Sequence, residues 1–530
     1  SESRGMRRMG RRGMVASPHY LATESGLRVL RTGGSAVDAA IATNAVLAVV
    51  TPYMCGLGGD LFAQVYDAGS RDLSGLNGSG RAAAEATAQR LRKLAAGSSM
   101  PQRGPLTVTV PGCVEAWGRL HERFGRLPWA ELFTDAIEHA ASGFPASAGF
   151  AAAIERSKSL FHPETPAAET FLPNGVLPVE GQIVDQPRLA RTLSTIAATG
   201  PDDYYRGTIG RELVRALSAV GGLLSTEDLA THQSEWVEPL SLQYRDIDVF
   251  ELPPNSQGII ALMILDILQH LSSREIARGG ETYVHLLAEA ARLAYADREA
   301  YITDPEHMNI EPDQLLSGEY GRERALLVRD RATAQSRAGS PGDTVYLCTA
   351  DRDGNLVSLI ESNYMGIGSG IMAGETGVML QNRGAWFSLD DTHPNVIAPR
   401  KRTMHTLMPG MAFRHGKPWL VFGTMGGSTQ AQIHVQILTR LIDQGLPIDL
   451  AIDAPRFDAV AGSVNGRPRL SLESRFDDEV QADLFARGHA VDPREPYTSE
   501  MGHAHAIQVM DNGVYVGASD PRSEGLALGY

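Results

Sequence analysis

The chain has 530 residues, more than a single hydrophobic core usually organises, and its 43% apolar and 21% charged residues are ordinary for a soluble globular protein. A formal charge of −14 argues against nucleic acid or an anionic membrane as the partner. Cys55, Cys113 and Cys348 are widely spaced and odd in number, so reduced thiols in a cytoplasmic setting are expected rather than a disulfide framework.

In chain order, residues 1–13 open on a basic stretch without the apolar run of a signal peptide, and read as a disordered tail or cloning scar. Apolar spacing predicts a helix over 21–30, stopped by Gly33-Gly34. A second, nearly all-apolar and therefore buried helix covers 37–50 and ends at Thr51-Pro52. Strands are predicted at 61–66, 107–110 and 378–380, and a helix over 113–124. The middle of the chain is mostly helical, its clearest element lying over 281–302. Residues 330–343 are polar, lack apolar periodicity and read as an exposed loop, the kind of segment in which chains are cut. A β-hairpin follows, with runs 344–350 and 356–362 flanking Asp351-Arg352-Asp353-Gly354-Asn355. If Ala350 faces Leu356, antiparallel pairing puts Thr344 opposite Ser362. Further on, a strand over 419–423 runs through Gly426-Gly427 into a helix over 429–444, and a last hairpin turns at Asp511-Asn512-Gly513.

Several of these stretches together resemble the γ-glutamyltranspeptidases. They are the hairpin at Thr344, Ala373-Gly374-Glu375-Thr376-Gly377, Gly426-Gly427, Ala454-Pro455-Arg456-Phe457 and Ala518-Ser519-Asp520-Pro521-Arg522, with Arg31-Thr32-Gly33-Gly34-Ser35 and Ala294-Tyr295-Ala296-Asp297-Arg298 earlier. The resemblance spans nearly the whole chain. It implies a four-layer αββα sandwich of the N-terminal-nucleophile hydrolase type, α+β in class, made as a precursor that cleaves itself. It also implies a cut between Asp343 and Thr344, giving a heavy chain over 14–343 and a light chain from 344 to 530 that together form one catalytic heterodimer, with pairing of such heterodimers a further expectation. Thr344 is then the nucleophile and its freed α-amine the base. Ser362 orients the hydroxyl, and the Gly426 and Gly427 N–H groups hold the oxyanion. No cofactor or metal is implied.

Positions at which glutathione-using members of the family read the γ-glutamyl group differ here. They fall on Ser79 (with Arg81 nearby), Tyr364, Arg383, Trp386, His405 and Thr406. The pattern resembles the acylase and amidohydrolase branch and implies a small-molecule acyl donor, with Arg383 and Arg81 available for a carboxylate and Tyr364 and Trp386 narrowing the pocket. Bland readings stand beside these. Thr at a strand start is ordinary β-propensity, Arg383 can bridge to an acidic neighbour, and His405 can be a structural hydrogen-bonding residue. True γ-glutamyl transfer from glutathione, and an uncut, non-catalytic homologue, are the competing functions.

Overall fold

The computed structural model describes residues 7–333, 342–459 and 462–530. Two seven-stranded antiparallel sheets lie face to face at its centre. One contains Asp343–Ala350 and Leu356–Tyr364 as neighbours near its middle, flanked by Met14–Ser17 and Asp60–Asp67. The other is built around Gly410–Arg414, Lys417–Thr424 and Ala504–Val509.

Alternation along the strands divides the core into layers, because successive side chains point to opposite faces. Tyr346, Cys348 and Ala350 join Phe62, Ile360, Met411, Val421 and Ile507 between the sheets. Val345 and Leu347 point the other way, into a core formed with the helices Tyr20–Arg31 and Ala36–Val50. All 15 residues of Ala36–Val50 are buried, and a capping box between Ser35 and Asp38 starts the helix. On the far side, Gly258–Gln269, Gly280–Tyr301 and Gln430–Ile442 cover the second sheet. The order is helix, sheet, sheet, helix, as expected for the αββα class. No helix among the described residues is long and apolar enough to cross a membrane. All three cysteines are buried and unpaired.

Three local expectations are corrected. The tail reading fails from residue 7 onward. Arg7–Gly10 is an edge strand antiparallel to Tyr515–Ser519, and the Arg11 and Arg12 N–H groups each donate to the Tyr530 carbonyl at 2.8 Å. Gly10 permits the approach, since a Cβ there would come within 2.9 Å of the Gly529 Cα. Residues 1–6 lie outside the described residues. The stretch 107–110 is not a strand: Val110 instead donates to the Arg81 carbonyl and accepts from the Gln381 amide. Residues 378–380 form isolated bridges, Leu380 with Gly58 and Met379 with Met372, because the neighbouring backbone is loop. The expected cleavage loop over 330–343 is described only at 330–333 and 342–343; residues 334–341 lie outside the described residues.

Candidate active site

The hairpin register follows the turn, with Ala350 opposite Leu356 and the pairing regular down to Val345 opposite Glu361. There it breaks, and Asp343 pairs with Tyr364, so Ser362 and Asn363 together face the single residue Thr344 and the bulge lies on the second strand. The bulge leaves Thr344 outside the ladder but keeps its hydroxyl against the expected partner. Thr344 Oγ1 donates to Ser362 Oγ at 3.2 Å, and both residues are buried. Ser362 Oγ donates in turn to the Asp343 carbonyl at 2.6 Å and accepts from the Tyr364 N–H at 2.7 Å. One serine hydroxyl therefore links the candidate nucleophile to the carbonyl of the peptide bond immediately before it, with its proton and both lone pairs in use.

Gly426 and Gly427 form the turn between Lys417–Thr424 and Gln430–Ile442. Their φ values of 140° and 55° are backbone conformations that glycine adopts without strain. This turn abuts the segment preceding Thr344: a Cβ on Gly342 would lie 3.2 Å from the Gly427 Cα and 3.3 Å from the Tyr364 ring. Gln257 braces it, donating to the Gly427 and Thr406 carbonyls at 3.0 and 2.9 Å while accepting from Arg298 at 2.8 Å.

Tyr364 ends the second hairpin strand at φ 79° and turns its ring beneath Arg383, whose guanidinium carbon lies 4.1 Å from the ring centroid. Trp386 meets Tyr364 edge-on at 5.8 Å. Arg383 is fully buried. Its Nη1 donates to Thr406 Oγ1 at 3.1 Å, while Nε and Nη2 have no hydrogen-bond partner among the described residues. The bridge to an acidic neighbour is thus not made. Burial lowers the Arg383 pKa to about 10, so the group remains a cation at neutral pH. A buried cation with two idle donors is costly unless an anion completes it.

His405, Ser79 and Arg81, grouped with the pocket in the sequence reading, have other commitments. His405 Nδ1 accepts from the Leu407 N–H, so its Nε2 carries the proton and donates to Asp60 Oδ2 at 3.0 Å. Burial and the Arg383 charge pull its pKa down to about 4, leaving it neutral. Asp60 is a buried carboxylate. Burial alone would raise its pKa, but hydrogen bonds from His405 and Gln381 and the Arg383 charge together hold it below the usual range. His405 thus serves as a neutral hydrogen-bonding link between Asp60 and the Leu407 backbone. The Ser79 hydroxyl is spent on Asn77 at 2.7 Å and on Asn255 at 3.1 Å. Arg81 is corrected as a carboxylate reader, since Glu235 at 3.2 Å and Asp304 at 3.4 Å already occupy its guanidinium.

The γ-glutamyltranspeptidase family profile matches residues 22–530. The chain belongs to that family. Among members, the glutathione hydrolase-like YwrD proenzyme of Bacillus subtilis is 39% identical over 98% of this chain and 99% of its own length. The oxamate amidohydrolase proenzyme of Klebsiella pneumoniae is also 39% identical, over 98% of each chain. A cephalosporin acylase from Bacillus halodurans superposes with a TM-score of 0.94 at 37% identity, covering all of this chain and 98% of that one. The chain is therefore an enzyme of the N-terminal-nucleophile hydrolase class, and its family relatives include amidohydrolases and acylases.

Four residues around this candidate site escaped sequence reasoning. Asp60 and Gln381 follow loops with no polar periodicity to mark them. Gln257 begins a helix whose spacing announces only its apolar face. Arg103 lies in an irregular stretch and reaches the hairpin end only through the fold, donating to the Met365 and Gly368 carbonyls.

Proposed function

We propose that the chain cleaves itself between Asp343 and Thr344 and then hydrolyses an amide bond of a small anionic substrate through an acyl-Thr344 ester. The observation that carries this reading is the relay from Thr344 Oγ1 through Ser362 Oγ to the Asp343 carbonyl, at 3.2 and 2.6 Å. In maturation Thr344 Oγ attacks the Asp343 carbonyl carbon, which the Ser362 proton polarises. The Asp343–Thr344 C–N bond breaks, its nitrogen takes the hydroxyl proton, and water hydrolyses the resulting ester. The products are a carboxylate on Asp343 and a free α-amine on Thr344. That amine, with an ordinary pKa of about 7.7–8.0, serves as the base in turnover.

In turnover the amine takes the Thr344 hydroxyl proton, and the oxygen attacks the substrate carbonyl. The oxyanion rests on the Gly426 and Gly427 N–H groups. The proton passes to the departing amine, and water then releases the acid. Arg383 supplies the anion recognition, with its idle Nε and Nη2 forming a planar fork for a carboxylate. Tyr364, Trp386 and Thr406 enclose that fork, and water is the acceptor.

Two measurements test the reading. Mass spectrometry of the purified protein is expected to find chains ending at Asp343 and beginning at Thr344; an uncut chain points to the non-catalytic homologue. Amine release from anionic acyl amides is expected to exceed that from γ-glutamyl-p-nitroanilide, and robust γ-glutamyl turnover overturns the substrate assignment.

A further inference from the structure

The first acyl group that Thr344 carries in the proposed cycle is not a substrate's but that of Asp343. The ester formed in maturation, Asp343 acyl on Thr344 Oγ, is the same chemical species as the ester of turnover, with an aspartyl group as its acyl part. Aspartyl is a four-carbon acyl chain whose carboxylate lies two carbons beyond the carbonyl.

The structure records where that carboxylate sits. Asp343 Oδ2 accepts from the Gly366 N–H at 2.9 Å. Gly366 has φ 47° and belongs to the turn that leaves Tyr364. A Cβ on it would stand 3.6 Å from Asp343 Oδ2 and 3.7 Å from Arg103 Nη2, ordinary contact distances, so it is the positive φ rather than crowding that favours glycine. Arg103 fastens this turn through Nη1, which donates to the Met365 and Gly368 carbonyls. Burial raises the Asp343 pKa, while the Gly366 hydrogen bond and the charges of Arg156 and Arg103 pull it down. Arg103 Nη2 comes close to the same glycine but makes no ion pair with Asp343 in the uncut chain. The Asp343 carboxylate thus sits at Gly366 and Arg103, whereas Arg383 lies among Tyr364, Thr406 and Asp60.

We propose that Asp343 occupies, before cleavage, the subsite that later receives the far end of the substrate's acyl group. Once the bond is cut and Asp343 withdraws, the Gly366 N–H and the Arg103 guanidinium hold a carboxylate there. The acyl donor is then an amide of a four-carbon diacid, a succinyl or aspartyl type, and Arg383 is left for a second anionic group of the same substrate. This rests on the Thr344 reading and adds the length and charge of the acyl chain. Hydrogen bonds to charged groups are worth enough for removal of one to change affinity by about tenfold or more.

The test uses the purified two-chain enzyme and three p-nitroanilides, succinyl, glutaryl and butyryl. The succinyl compound is expected to have a kcat/KM at least about tenfold above both others. Arg103→Gln is expected to shrink the succinyl-to-butyryl ratio about tenfold, chiefly through KM. A butyryl compound cleaved as well as the succinyl one, or a ratio that survives Arg103→Gln, overturns the subsite. Should that variant fail to fold or mature, calorimetry on the cleaved wild-type enzyme decides. Acetyl-Gly-Asp is expected to bind about tenfold more tightly than acetyl-Gly-Asn, and equal binding refutes the proposal. An uncut protein inert towards all three anilides overturns the Thr344 reading itself. A cut, active enzyme indifferent to acyl charge overturns the subsite alone.

Discussion

Replacing Arg383 with Met separates a binding arginine from a structural one, because the two roles move stability and activity in different directions. The guanidinium makes one side-chain hydrogen bond, to Thr406, and stacks on Tyr364, while two of its nitrogens have no partner among the described residues. Losing that bond and the stack costs about 1–3 kcal/mol. Removing an incompletely paired buried charge returns several kcal/mol of desolvation. Thermal unfolding of Arg383→Met is therefore expected at or above the wild-type temperature. In the substrate complex the two idle donors form charge-assisted bonds of about 1.5–3 kcal/mol each, so kcat/KM for an amide whose anion reaches Arg383 is expected to fall about 10²–10⁴-fold. A neutral amide of the same size is expected to lose far less. The assay is amine release from the matched pair, after electrophoresis has verified that the variant matures. An unchanged anionic-to-neutral ratio, or a melting temperature lowered by more than about 10 °C, which is more than one such hydrogen bond accounts for in a chain this long, refutes the assignment.

Thr344→Ala is expected to remain a single uncut chain, seen directly on denaturing gels. Ser362→Ala is expected to mature and turn over about 10–10²-fold more slowly, since it strips the Asp343 carbonyl of its donor and the buried Tyr364 N–H of its acceptor, with Ser362→Thr restoring both rates. Gly426→Ala is expected to depress kcat with little change in chain cleavage, because a Cβ at φ 140° would also lie 2.8 Å from Thr429 Oγ1. Glu361 is buried against the Gly56 N–H, and burial raises its pKa to about 8. A carboxyl whose folded pKa lies above its unfolded value adds stability at low pH that is lost as pH rises from about 4.5 through 8. Glu361→Gln is therefore expected to raise the melting temperature at pH 8 relative to wild type and to change it little at pH 4.5.

Much of the fold was legible because it rests on local chemistry. The Ala36–Val50 helix announced its burial through an unbroken apolar run, and the five-residue turn at Asp351–Asn355 set the hairpin register as far as Val345. The bulge at Ser362-Asn363, opposite Thr344, was not legible, since one extra residue in a strand leaves no mark in its polarity pattern. The strands expected at 107–110 and 378–380 had suitable residues but no continuous partner edge, and backbone without an edge to pair with remains loop.

The candidate site divides the same way. Thr344, Ser362 and the two glycines belong to a strand start, a strand end and a strand-to-helix turn, positions that chain order and turn chemistry specify. Arg81 and Arg383 are the same residue type, and sequence treated them alike. The fold surrounded Arg81 with Glu235 and Asp304 and enclosed Arg383 with no hydrogen-bonding carboxylate among the described residues. Arg103 reached the hairpin across more than 250 residues of chain to clasp Met365 and Gly368. Sequence alone determined the family through the order of its motifs, and that resemblance in turn implied the αββα fold and the candidate nucleophile. Which cations stay open to a ligand was decided only by tertiary structure, because a side chain's charge is read from its type but its partners come from distant segments.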